Sequence, residues 1–264
     1  MEHLHKNTEL FFDDFTAPVL DRSKWNVEIT GEIHNHEQQA YVDAPETIYL
    51  EKGDDSANGV LVIQPRYAKG YLTPQGRVFD LLSGRINTRS KFEFNRACVS
   101  ARMRIPAGAG LWPAFWALGA SAPWPACGEI DIMENVGEPD WVSVAIHGPG
   151  YSGEGALVNK KYFSAPQDVT QWHEYSFHCL EDCFVFEIDN ELVYRVTRPL
   201  VDFVGKWAFD SSKFIILNFA LGGIYPFKTN GVRTPYYGLP ESTVASIQNN
   251  EIKLQVDWVQ ATQP

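Results

Sequence analysis

Short stretches in which apolar and polar residues alternate recur along most of this chain. Cys98 to Pro106 is a clear case, with Val99, Ala101, Met103 and Ile105 on one face and polar residues between them. A period of two is the mark of a half-buried strand. The same reading predicts strands at 25–29, 47–51, 59–64, 91–94 and 98–106. Further along, strands are predicted at 112–118, 129–134, 142–147, 172–179, 183–189, 191–196 and 252–259, and an apolar run at 214–223 reads as a buried strand. Asp189-Asn190 is a tight-turn dipeptide, and 52–58 is a polar loop. The segments 66–80 and 224–244, the second with three prolines, read as long loops. One short helix is expected, within 201–207. Strands joined by short turns, with no sustained 3.6-residue period, predict an all-β fold, a sandwich of two antiparallel sheets.

Length and composition narrow this further. With 264 residues, 44% of them hydrophobic, the chain has enough apolar surface for one large core. We expect a single domain over residues 10–261 behind an N-terminal extension of residues 1–9. The net charge of −11 argues against nucleic acid, whose phosphates reward Lys and Arg, and against anionic polysaccharides. A solvated acidic surface explains the charge equally well. Eight Trp, eleven Tyr and sixteen Phe suit either a packed core or a sugar-lined cleft. No stretch approaches membrane-spanning length, so no membrane partner is expected, and Met1 to Lys6 lacks the apolar run of a signal peptide. Cys98, Cys127, Cys179 and Cys183 allow three pairings, and spacing does not choose among them. On one strand, Cys179 and Cys183 would lie about 13 Å apart, so a bridge between them needs a turn at Glu181-Asp182. Buried free thiols are expected.

The candidate chemistry lies in Glu129-Ile130-Asp131-Ile132-Met133-Glu134. On a regular strand Glu129 and Asp131 share one face and Ile130 and Ile132 the other, while Glu134 falls with the isoleucines. One extra residue, a β-bulge at Ile132–Met133, returns Glu134 to the acidic face. Three acids on one face repel each other, and folding alone gives no reason for them. Glycosidic bond cleavage does: one carboxylate attacks and another, raised in pKa, serves as acid and base.

This stretch resembles the signature of glycoside hydrolase family 16 in its bulged, laminarinase-like form. Ser83-Gly84-Arg85-Ile86-Asn87-Thr88, Gly110 to Trp116, Trp124 to Gly128, His147 to Gly153, Leu217 to Gly223 and Val256 to Val259 resemble the family in the same order. Leu10 to Phe15 resembles its first strand, so the resemblance runs from about Phe11 to Val259. It implies a β-jelly roll with a concave substrate cleft and an endo-acting β-1,3-glucanase, with mixed-linkage β-1,3-1,4-glucan as a second substrate. It also implies that Glu129 is the nucleophile, Glu134 the acid and base, and Asp131 the group assisting Glu129, with net retention. Asn35, Arg85, Trp112, Trp124 and His147 are the implied substrate-binding residues, and Trp116 is a further one in doubt between cleft and core. No cofactor is implied for catalysis. A structural calcium is implied on the convex side, with Asp257 and carbonyls at Asp14 and Gly59 as ligands. The family is usually exported, which implies an extracellular enzyme whose signal is missing from this sequence. The expected partner is a β-glucan, and the expected state a monomer. The alternatives are a same-fold hydrolase of a galactan or agar and a non-catalytic glucan-binding module, and the three acids count against the second. On a regular strand the Cα atoms of Glu129 and Glu134 would lie more than ~13 Å apart. Retention needs carboxyls about 5–5.5 Å apart, so the side chains must lean together.

Overall fold

The structure is a computed structural model that describes residues 8–52 and 58–264. Most of the expected N-terminal extension and of the 52–58 loop lies outside the described residues. The first strands are β1 (Glu9–Asp13), β2 (Asn26–Val27), β3 (Gln39–Tyr41), β4 (Ile48–Lys52), β5 (Gly59–Ile63) and β6 (Arg66–Leu72). They are followed by β7 (Val78–Ser83), β8 (Arg85–Asn87), β9 (Cys98–Arg104), β10 (Leu111–Gly119), β11 (Glu129–Glu134) and β12 (Trp141–His147). The last are β13 (Leu157–Tyr162), β14 (His173–Cys179), β15 (Cys183–Ile188), β16 (Glu191–Thr197), β17 (Lys213–Leu221) and β18 (Leu254–Thr262). The helices are α1 (Arg198–Val204), α2 (Ile224–Asn230) and α3 (Glu241–Gln248).

Two antiparallel sheets face each other. One runs β16-β15-β14-β9-β18-β5-β4, with β1 also on β18, and the other runs β13-β12-β11-β10-β17-β8-β2. A small third sheet, β3-β7-β6, flanks them and contains a parallel pair, β3 with β7. The alternation seen in the sequence explains the layering. Val99, Ala101 and Met103 of β9 turn inward, as do Phe115 and Ala117 of β10, and Ile215, Leu217 and Phe219 of β17. All eight are fully shielded from solvent. The two sheets share this one core, and the outward face of the seven-stranded sheet is left for chemistry.

Several sequence expectations are corrected. Residues 66–80 are not a loop: they hold β6 and the start of β7, joined by a tight turn in which Gly76 N–H reaches the Thr73 carbonyl. The β6 pattern is mostly exposed, so no apolar alternation marked it. The segment 224–244 contains α2 and the start of α3. The short helix sits three residues earlier than expected, at 198–204. Residues 91–94 contribute only a single bridge, Phe94 with Lys213, and β3 and β13 were not anticipated. The chain does turn at Glu181-Asp182, with Leu180 N–H on the Cys183 carbonyl, but all four cysteines are free thiols. The terminal strand pair also extends past the expected domain limits, with Glu9 opposite Thr262.

Candidate active site

Strand β11 lies in the middle of the outward face. Against β12, Asp131 pairs with Ala145 and Glu134 with Ser143, so three steps on β11 match two on β12. Against β10 the register slips between Met133↔Phe115 and Asp131↔Trp116. Both shifts locate the extra residue at Ile132–Met133. Ile130, Ile132 and Met133 are all completely buried in the core. Glu129, Asp131 and Glu134 therefore share the outer face.

Each acid has its own partners. His147 ends β12 opposite Glu129, and its Nε2 lies 3.1 Å from Asp131 Oδ2 and 3.7 Å from Glu129 Oε1. The backbone N–H of Gly153 donates to His147 Nδ1 at 3.1 Å. An accepting Nδ1 leaves the ring proton on Nε2, facing the acids. The Trp124 side chain hydrogen-bonds Glu129 and favours its charged form. At the other end of the strand, Trp112 Nε1 donates to Glu134 Oε1 at 2.8 Å. Tyr225 of α2 packs edge-on against Trp112, and its hydroxyl lies 3.4 Å from Ser143 Oγ.

Loss of hydration deep in the cleft, reinforced by the charge of Asp131, raises Glu129 and Glu134 to about 8. His147 and Trp124 work against this at Glu129, and Trp112 does so at Glu134. Burial opposes a charge on His147, but Asp131, Glu129 and Glu134 outweigh it and raise its pKa to about 9. The Gly153 N–H, aimed at Nδ1, resists that second proton. The charge of Glu134 adds a smaller upward push at Glu129.

Glu129, Asp131 and His147 each bring one donor atom within 4.8 Å of the others, a spacing that could surround a metal ion. The proton on His147 Nε2 occupies the nitrogen that would have to coordinate, so the trio fits proton chemistry better. Calcium was expected elsewhere. Asp13 pairs with Val259 and Leu61 with Val256, which brings the chain near Asp14, Gly59 and Asp257 together. The contact is close: a Cβ on Gly59 would fall 1.8 Å from the Phe15 carbonyl oxygen. Asp257 is buried but shares Oδ2 with Arg102 at 2.5 Å. The backbone convergence fits a calcium, while the guanidinium competes for part of its only carboxylate. The Asp14 side chain is turned to its own loop, accepting from Thr16.

The remaining expected site residues lie along the cleft. Arg85 sits over the Trp116 ring, 5.0 Å from its centre, and pairs through Nε with Glu28 at 3.0 Å. Trp116 is on the cleft face too, with its indole N–H on Asn218 Oδ1 at 2.7 Å. Trp124 is half-exposed and tilted 45° to His147, 6.2 Å away. Asn35 sits at an exposed loop tip, where its carbonyl accepts the Ile224 N–H at the start of α2. The polar wall beside it comes instead from Glu37, which accepts from Gln39 and Tyr41. Sequence reasoning missed Glu28, Glu37, Tyr225 and Gly153. The signal for Glu37 was an acid two residues from Asn35; Glu28 and Tyr225 carried none, and Gly153 stood only within the His147-to-Gly153 stretch of the resemblance.

A jelly-roll sheet bearing a bulged acidic strand, with an aromatic at each end, is the architecture of a polysaccharide-cleaving hydrolase. The chain belongs to glycosyl hydrolases family 16, whose model matches residues 35–221. It is 31% identical over 225 residues to a beta-glucanase of Rhodothermus marinus, covering 81% of this chain and 75% of that one. It is 28% identical over 249 residues to glucan endo-1,3-beta-glucosidase A1 of Niallia circulans, covering 84% of this chain but only 34% of that longer protein. The endo-beta-1,3-glucanase structure from Pyrococcus furiosus superposes with a TM-score of 0.84 at 30% identity, over 97% of this chain and 94% of the other. The laminarinase catalytic domain of Thermotoga maritima gives 0.82 at 28% identity, over 98% of each chain.

Proposed function

We propose that this protein is a retaining endo-β-1,3-glucanase that also accepts mixed-linkage β-1,3-1,4-glucan. The observation that carries the reading is the bulged strand, with Glu129 beside His147 and Glu134 beneath the Trp112 N–H. Glu129 attacks the anomeric carbon and forms a glycosyl-enzyme ester, while Glu134 protonates the departing glycosidic oxygen. Glu134 then takes a proton from water, and that water releases the sugar with its configuration retained. The pair needs opposite protonation at the outset. Burial raises both acids alike; His147, with Nε2 3.7 Å from Glu129 Oε1, and Trp124 tip the charge to Glu129 and leave the proton of the pair on Glu134. Asp131 Oδ2, 3.1 Å from His147 Nε2, holds that histidine beside Glu129 and so assists the nucleophile. Arg85, Trp116, Trp124 and Trp112 bind glucosyl units on either side, and Asn35 contributes at the rim. The chain acts as a monomer outside the cell, where a polymer too large to import is met. Calcium held near Asp14, Gly59 and Asp257 steadies the opposite sheet.

The test is product analysis on laminarin, barley mixed-linkage glucan, agarose and carrageenan, followed by NMR of the first products. Short β-1,3-linked oligosaccharides that appear first as β-anomers support the reading. Cleavage of agarose alone would move the substrate to a galactan, and glucan binding with no cleavage would make this a recognition module.

A further inference from the structure

The two ends of β11 belong to opposite walls of the cleft. Glu129, His147 and Trp124 mark one wall, and Glu134, Trp112 and Tyr225 mark the other. The loop after His147 continues the first wall through Gly153, whose N–H holds the histidine. Helix α2 forms the second wall, starting against Asn35 and Trp112. One turn beyond Tyr225, Lys228 leaves this helix and forms an ion pair with Glu154, the residue after Gly153. That pair therefore runs from wall to wall.

The floor continues beneath it. Asp131 pairs with Ala145 and Ala145 with Val158, so Val158 shares the face of the acids. Trp141 pairs with Tyr162 on β13, and Tyr162 lies close to Tyr225. Val158 is 51% exposed and Tyr162 61% exposed, an apolar and an aromatic surface open to a sugar ring. Arg85 and Trp116 occupy the other side of β11, across β10, β17 and β8. With a sugar chain crossing β11, Arg85 and Trp116 flank the portion on one side and β13 lies under the portion on the other.

We propose that the Glu154–Lys228 ion pair is a strap over the β13 side of the cleft, and that it sets the preference between long and short glucans. This rests on the glucanase reading above. A short oligosaccharide can enter along the floor beneath the pair. An internal segment of a polymer must descend between the walls, and the strap must part for it. Both partners are solvent-exposed, so the pair is weak and opens readily.

The experiment measures kcat/KM on laminarin and on a β-1,3-linked glucotetraose. It compares the parent, Lys228→Ala, Glu154→Gln and the charge-swapped double variant Glu154→Lys/Lys228→Glu. Each single variant should raise the polymer-to-oligomer ratio roughly two- to fivefold, as an exposed ion pair allows. The swapped pair should restore the parent ratio. Added sodium chloride should raise the ratio for the parent and the swap but not for the single variants, because the substrates are neutral and only the strap is screened. Single variants that keep their melting temperature and the parent ratio would overturn the strap, as would a swap that behaves like the singles. A parent that does not cut laminarin would instead refute the glucanase reading. The same comparison on the polymer it does cut, against that polymer's tetramer, would then decide the strap separately.

Discussion

Replacing Trp112 by Phe keeps an aromatic ring against Tyr225 and removes one proton donor, the indole N–H 2.8 Å from Glu134 Oε1. That donor stabilises the ionised carboxylate more than the protonated acid, and it lowers a pKa that burial and Asp131 have raised to about 8. Its loss must therefore push Glu134 higher still. A hydrogen bond to a charged group contributes ~1.5–3 kcal/mol, and one pKa unit is about 1.4 kcal/mol, so the expected rise is roughly one to two units.

The first chemical step requires Glu134 protonated, so the basic limb of the kcat/KM profile reports this group. In Trp112→Phe that limb should move up by at least about one unit. The second step needs the same residue ionised, and below the optimum a more basic glutamate ionises less. Added to the loss of alignment, this should lower kcat at neutral pH about tenfold. The assay is reducing-sugar release from laminarin between pH 4 and 10, with Tyr225→Phe as the control. That variant loses a hydroxyl directed at Ser143 and should leave the limb where it is. A Trp112→Phe profile that falls uniformly, with its basic limb unmoved, would show that Trp112 only stacks on substrate.

Glu129→Ser should retain glucan binding in affinity electrophoresis and lose at least about a thousandfold in kcat, and a near-native rate would disprove its role as nucleophile. His147→Gln removes a group that lowers the Glu129 pKa, so the acidic limb of kcat/KM should shift upward, and an unmoved limb would remove His147 from the electrostatics of the nucleophile. Glu134 holds a proton in the fold that the unfolded chain releases at its ordinary value of 4.5, so stability should decline as pH rises from 4.5 toward 8. Calorimetry should show Glu134→Gln melting higher than the parent at pH 8, by about 2–4 °C for each kcal/mol relieved, with equal melting near pH 4. Chelation with EDTA should lower the melting temperature and added calcium chloride restore it, and indifference to both would remove calcium from the Asp257 region.

The bulge was legible because acids and apolar residues compete for register within six positions, and only one extra residue satisfies both sets. The walls of the cleft were not legible in the same way. Pro226 and Pro240 read as loop signals, yet Pro226 lies in the first turn of α2 and Pro240 is the N-cap of α3. Proline is tolerated there because those amides have no helical acceptor. With α2 read as loop, Tyr225 and Lys228 had no place from which to reach the cleft. Gly153 acts through its backbone N–H, which leaves no trace in residue identity. Alternation put Trp112 on one face with Ala114, Trp116 and Leu118, where core packing is the ordinary reading, and only the family resemblance placed it in the cleft.

The bulge also removes part of the difficulty of distance. The stretch from Glu129 to Glu134 is five steps on β11 but only four on β12, from His147 to Ser143. Four steps cover ~13 Å, where five would cover ~17 Å, so the strand is shortened by one residue across the gap the two carboxyls must close. The same extra residue sends both Ile132 and Met133 into the core beside Ile130. Burying such side chains contributes ~1.5–3 kcal/mol each, which offsets the cost of three acids gathered on the other face. A regular strand would gain the apolar contacts of Ile130 and Ile132 but lose Glu134 to the interior. The bulge is thus required both for the burial that keeps β11 in place and for the approach of its two glutamates.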